Sequence, residues 1–125
     1  MPAWNPYASA CPTRMVLDRV ADKWAVLVLG LLADGPVRFN QLRRAIEGLS
    51  QKMLSQTLKS LERDGLVSRR AIATVPVTVE YSITPLGRTL TSTVDALRVW
   101  AEIHMEEVLS AQERYDAGRR DAVPV

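Results

Sequence analysis

Ser50–Gly65 reads SQKMLSQTLKSLERDG. On a helix, at about 100° per residue, Leu54, Thr57, Leu58 and Leu61 fall on one side, and Lys52, Gln56, Lys59 and Arg63 fall on the other. Met53, Ser55 and Ser60 flank the polar side. Ser50 is a helix N-cap by type, because its hydroxyl can accept from a free backbone N–H of the first turn. Gly65 stands where a left-handed residue commonly stops a helix. The spacing predicts a capped helix with a leucine seam inside and amides, hydroxyls and cations outside. Such a face suits hydrogen bonding to base edges and phosphates. Taken alone, it is equally the outer face of an ordinary surface helix.

The neighbours decide between these readings. Upstream, Phe39, Leu42 and Ile46 are spaced to face inward from a helix at Phe39–Ala45, and Gly48 ends it. Two helices joined by a short turn holding a glycine match the helix-turn-helix pattern. Downstream of Gly65 the apolar period changes from about 3.6 to about 2. Leu66–Ile72 and Val79–Ile83 are rich in β-branched and aromatic residues, with Ala73–Thr78 and Pro76 between them, which predicts a β-hairpin. Helix, helix, hairpin is the order of a winged helix-turn-helix. The expected fold is therefore mainly α with a small β-hairpin, an α+β arrangement.

Nearer the N-terminus, Cys11–Ala21 predicts a first helix with Pro12 at its first position, and Val16, Leu17 and Val20 on one face. Asp22 then caps a second helix, Lys23–Ala33, whose WAVLVLGLL run is apolar nearly all round and belongs in the core. Asp34-Gly35-Pro36 stops it, and Val37–Phe39 fits a very short strand. Met1–Ala10 has no periodicity and reads as an extended arm, with Trp4 and Tyr7 expected to pack on something.

At the other end, Thr84-Pro85 starts a last helix. Its stripe of Leu86, Leu90, Val94, Leu97, Trp100, Ile103 and Met105 carries it to about Tyr115, roughly 45 Å at 1.5 Å per residue. That is longer than a winged domain. The excess stripe needs another surface, most simply a second copy of the chain. Leu97, Trp100, Ile103 and Val108 are the expected interface residues, with the first helix contributing. The expected organisation is a single winged domain over 1–125: an arm at 1–10, a DNA-binding core at 11–83, a dimerisation helix at 84–115 and a frayed tail at 116–125.

Composition narrows the function. The chain has 125 residues, 47% apolar and 24% charged, with a net charge of +2 and a pI near 9.0. These are ordinary values for a soluble globular domain. There is no run long and apolar enough for a membrane span and no secretory signal pattern, so a cytoplasmic location is expected. One cysteine forbids an intrachain disulfide. Charge is segregated. Between Arg38 and Arg70 the only acids are Glu47, Glu62 and Asp64, against Arg38, Arg43, Arg44, Lys52, Lys59, Arg63, Arg69 and Arg70. Glu102, Glu106, Glu107 and Glu113 cluster later. A basic middle leans towards a polyanion.

The chain has no glycine-rich phosphate loop and no metal-ligand spacing, and no Ser, Cys or His stands in a catalytic arrangement. His104 is the only histidine and reads as a solvated or interface residue. No enzyme activity, no metal and no cofactor is expected.

The residues CPTRMVLDRVADKWAVLVLGLLADGPVRFNQLRRAIEGLSQKMLSQTLKSLERDGLVSR, followed by VEYSITPLGRTL, resemble the HxlR-type family of bacterial winged-helix regulators. Cys11-Pro12, Lys23-Trp24, Arg38-Phe39, Leu42-Arg43, Ser50-Gln51-Lys52-Met53-Leu54, Leu61-Glu62, Asp64-Gly65-Leu66-Val67 and Glu80-Tyr81-Ser82-Ile83-Thr84-Pro85-Leu86-Gly87 carry the match. The resemblance covers most of Cys11 to about Val108. It implies a homodimeric transcription regulator on a palindromic operator. Some members sense oxidants or electrophiles through the cysteine before the first helix, the place Cys11 holds. One departure is the wing tip. Val75-Pro76-Val77-Thr78 lacks the second proline and the cation that such wings often carry. Arg69 and Arg70 at the wing's base are the substitutes.

Several expectations follow for the site. Gln51, Lys52, Ser55 and Gln56 are nearest the bases in the major groove, Lys59 and Arg63 turn towards phosphate, and Arg43 and Arg44 contact the backbone. Two such helices about 34 Å apart would read an inverted repeat in double-stranded DNA. Cys11 stands at a helix start, where free N–H groups favour a thiolate open to a small reactive inducer, with Arg14 about one turn on. Two alternatives remain. The regulator is controlled by a non-covalent ligand and Cys11 is a packed hydrophobe, or the winged domain is a protein–protein module with an incidental basic face.

Overall fold

The computed structural model describes residues 4–121. The elements run α1 (Thr13–Ala21), α2 (Lys23–Leu32), β1 (Val37–Arg38), α3 (Phe39–Ala45), α4 (Gln51–Arg63), β2 (Val67–Ile72), β3 (Thr78–Ile83) and α5 (Pro85–Asp121). This is a winged helix-turn-helix with a long last helix. Two compact units divide it, Met1–Val94 and Asp95–Val125.

In the first unit, α2, α3 and α4 meet around a leucine core. Val28, Leu29, Leu32, Leu42, Leu54, Leu58 and Leu61 are all buried. Asp22 caps α2, its Oδ1 accepting from the N–H groups of Trp24 at 2.9 Å and Ala25 at 3.4 Å. The antiparallel sheet has the order β1-β3-β2, with Val37 opposite Tyr81 and Arg69 opposite the same residue from the other side. The expected hairpin is therefore a three-stranded sheet. Strand β1 is two residues long and stable only as an addition to β3.

Thr84 joins the end of α4 to the start of α5. Its hydroxyl donates to the Gly65 carbonyl at 2.6 Å and accepts from the Gly87 N–H at 3.0 Å. Gly87 is buried beneath this joint. A Cβ there would collide with the Leu66 carbonyl oxygen and lie 2.7 Å from Ile83 Cγ1. Alanine normally favours a helix over glycine, but here the backbone has no room to yield. Gly87→Ala is expected to lower unfolding free energy by about 2–3 kcal/mol, read from the urea midpoint. An unchanged midpoint would mean that the α5 start gives way at no cost.

Three expectations are corrected. The first helix starts at Thr13, with Pro12 as its N-cap rather than its first helical residue, and it buries no side chain. Trp4 and Tyr7 do not pack: they are 63% and 89% exposed. Here the backbone of the arm, not its side chains, is held. Arg14 donates to the carbonyls of Pro6 at 2.9 Å and Tyr7 at 3.0 Å, and Asn5 Oδ1 accepts from the Tyr7 N–H. Finally, α5 continues past Tyr115 to Asp121, so the expected tail is helical that far. Nothing in Asp116–Asp121 breaks a helix except Gly118, whose cost is small. Arg119 also folds back over the Tyr115 ring, 5.6 Å from its centroid. The first three residues of the arm and the last four of the tail lie outside the described residues.

The second unit is the later part of α5. Arg98 pairs with Asp95 at 2.8 Å and Glu102 at 2.7 Å along one face. Leu97, Trp100, Ile103, Met105 and Leu109 remain exposed, Ile103 at 70%. Val108 is half-buried.

Candidate nucleic-acid interface

The turn from α3 to α4 needs Gly48, whose φ of +83° is costly for any residue with a Cβ. Leu49 follows as a buried anchor. Ser50 then caps α4, its hydroxyl accepting from the Met53 N–H at 3.1 Å. At the far end Gly65 has φ +76°, and the Leu66 N–H returns to the Leu61 carbonyl at 2.9 Å. Both caps stand where the sequence put them, and between them Leu54, Leu58 and Leu61 fix which side is outside.

The outer side carries the expected residues. Gln51, Lys52, Gln56, Lys59 and Arg63 are exposed, and Ser55 is half-buried beside them. Arg43 and Arg44 are exposed in the last turn of α3. On β2, Arg69 and Arg70 are exposed too, but they differ. Arg70 donates to Glu80 Oε1 at 3.2 Å, which spends part of its charge within the sheet. Arg69 lies opposite Tyr81. Burial pushes the Tyr81 phenol above its ordinary value, and the Arg69 cation pulls against that shift. At the wing tip Val75 is fully exposed and Val77 is 66% exposed. Thr74 holds the tip, donating to the Pro76 carbonyl at 2.7 Å.

Cys11 is half-buried between the arm and α1. The Thr13 hydroxyl beside it is the main reason that its thiol is held below the ordinary value. Partial burial opposes that shift, and the Thr13 and Asn5 backbone groups and the Arg14 charge assist it. The direction is the expected one, but a neighbouring hydroxyl leads it and Arg14 contributes least.

Two features have no counterpart in the sequence pattern. Arg19 on α1 donates from Nε to Asp64 Oδ2 at 2.6 Å, across 45 residues of chain. Beside it is a cavity of about 200 Å³ lined by Arg19, Asp22, Trp24, Met53, Gln56 and Ser60. No periodicity links such distant residues. In α5 the Trp100 and His104 rings stack at 4.8 Å, and His104 Nδ1 lies 2.9 Å from the Trp100 carbonyl, a bond that requires the Nδ1–H tautomer. Among the described residues no group of acids, cysteine and histidine could hold a metal ion, and no helix is long and apolar enough to cross a membrane.

Comparison with known proteins bears on this geometry. The model of the HxlR-like helix-turn-helix family matches residues 19–109. The HTH-type transcriptional regulator YtfH of Escherichia coli K12 is 47% identical over 109 residues, 87% of this chain and 86% of its own. The solved structure of the transcriptional regulator YtfH from Salmonella typhimurium is similar at a TM-score of 0.84 and 45% identity, over 88% of this chain and 98% of that one. The redox regulator HypR in its reduced form is similar at a TM-score of 0.72 and 37% identity, over 79% of this chain and 98% of its own.

Proposed function

The chain belongs to the HxlR-like helix-turn-helix family, whose members are transcriptional regulators, and on that premise we propose that it works as a dimer reading an inverted-repeat operator through α4. The observation that carries this is the outer side of α4. One capped helix exposes Gln51, Lys52, Gln56, Lys59 and Arg63 together, while its opposite side is locked by three buried leucines. Gln51, Lys52, Ser55 and Gln56 reach base edges, and Lys59, Arg63, Arg43 and Arg44 reach phosphates, with Arg69 and Arg70 at the wing's base. The winged core spans 11–83 and the helix from 84 onward brings two copies together through Leu97, Trp100, Ile103 and Val108. Such a protein acts on the chromosome, in the cytoplasm.

Cys11 is the sensor in this reading. Support comes from the Thr13 hydroxyl that favours its thiolate, and from the similarity to a protein described as a redox regulator. A second reading, control by a non-covalent ligand, is favoured by the cavity that Gln56 lines, because an occupant there would touch a base-reading residue.

Gln56→Ala tests the reading of sequence. It is expected to cost about 1–3 kcal/mol on the operator and less on random duplex, measured by fluorescence anisotropy. Equal losses on both would remove Gln56 from base recognition. Salt separates DNA binding from a protein–protein role. Each phosphate contact adds about 0.9 to the slope of log affinity against log salt, whereas a partner held by apolar surface gives almost none.

A further inference from the structure

Helix α1 lies against α2. It buries no side chain, and Met15, Val16 and Leu17 are each about half exposed. Between it and α4 there is an open cavity, with Arg19 and Asp22 on one wall and Met53, Gln56 and Ser60 on the other. From that wall Arg19 reaches Asp64, and both side chains are largely shielded, at 24% and 20% exposed. Among the described residues this is the only ion pair that joins two helices. Asp64 is the C-cap of α4. A carboxylate there meets the negative end of the helix dipole, so it favours a conformation in which a cation faces it.

We propose that Arg19 is a positioning residue for operator reading: its ion pair with Asp64 fixes the C-terminal end of α4 against α1. The inference rests on α4 being the reading helix. The leucine seam sets which side of that helix faces the core, but hydrophobic burial is itself non-directional. A short charge-assisted bond adds a direction at the helix's C-terminal end. Base-edge hydrogen bonds accept only a narrow range of distance and angle. Flexible lysine and arginine contacts to phosphate accept a wider one. Loss of Arg19 therefore weakens binding to the operator and spares binding to random duplex, although Arg19 itself touches no DNA.

The test uses full-length Arg19→Gln, Asp64→Asn, the double variant and Arg19→Lys, each checked for folding by circular dichroism. Affinity is measured at one salt concentration for a duplex selected by the wild type from a random library, and for random duplex. Each of Arg19→Gln and Asp64→Asn is expected to lower operator affinity about tenfold and to change random-duplex affinity by less than about twofold. The double variant should be no worse than either single, because both remove one interaction. Arg19→Lys should recover part of the loss, keeping the charge without the planar fork. If Arg19→Gln fails to fold, Asp64→Asn and Arg19→Lys carry the same comparison. The proposal is overturned if the single variants keep the wild-type preference, if operator and random affinities fall together, or if the two losses add. A wild type that selects no sequence overturns the reading by α4 itself, before any variant is made.

Discussion

Trp100→Glu combined with Ile103→Glu is expected to give a monomer that has lost about a thousandfold in operator affinity, the low end of the gap between specific and non-specific binding. The two side chains are 57% and 70% exposed, and Leu97, one turn before Trp100, continues them at 46%. Large apolar side chains in succession along one helix mark a surface that another surface covers. In the proposed dimer a second copy covers it with the same patch, by two-fold symmetry. Arg98, held between Asp95 and Glu102, keeps the polar side of that helix satisfied without a partner. Neither residue belongs to the core of the Met1–Val94 unit, so the thermal transition of that unit should move little. Sedimentation velocity reads the mass, and anisotropy reads the affinity. A double-glutamate protein that still sediments as a dimer moves the interface elsewhere and sinks this assignment.

Helix α4 was legible because everything that defines it is local. Ser50, the Leu54–Leu58–Leu61 seam and Gly65 lie within one stretch, and each acts through a near neighbour. Thr84 and Pro85 marked the start of α5 for the same reason. What stayed hidden was contact across distance. Strand β1 has two residues, too few to show a period, and exists only because β3 is beside it. Nothing local to α5 accounts for a glycine at Gly87, and only the approach of Leu66 explains why one stands there. Arg19 and Asp64 are 45 residues apart. The arm misled for a different reason. Trp4 and Tyr7 are large enough to suggest burial, yet the hydrogen bonds that hold the arm use its backbone, which size does not reveal. At the wing the sequence did show the missing cation, and Arg70, one of its expected substitutes, is partly engaged by Glu80.

Diamide is expected to release the wild-type protein from its operator and to leave Cys11→Ser bound, a difference that approaches the same thousandfold if oxidation disturbs the two-fold arrangement. Cys11 stands two positions before the start of α1, and α1 is the helix expected to join α5 in the dimer. With one cysteine per chain, oxidation gives an intersubunit disulfide or a mixed disulfide with a small thiol. Either product puts bulk or a tether at the start of a helix that has no fully buried side chain of its own. Thiolate is the reacting form, so the pH dependence checks the cause. The Thr13 hydroxyl leads the lowering of the Cys11 thiol, which means that thiolate persists to lower pH than for an ordinary cysteine. Thr13→Val removes that hydroxyl, so the rise of alkylation rate with pH, followed with iodoacetamide, should shift to higher pH. At neutral pH the variant should react more slowly. If Thr13→Val alkylates with the wild-type profile, the hydroxyl does not set the reactivity of Cys11. If Cys11→Ser leaves the operator at the same diamide dose as the wild type, or if neither leaves, Cys11 is a packing residue. The inducer is then a reversible ligand, and the cavity beside Gln56 is the first place to look for it.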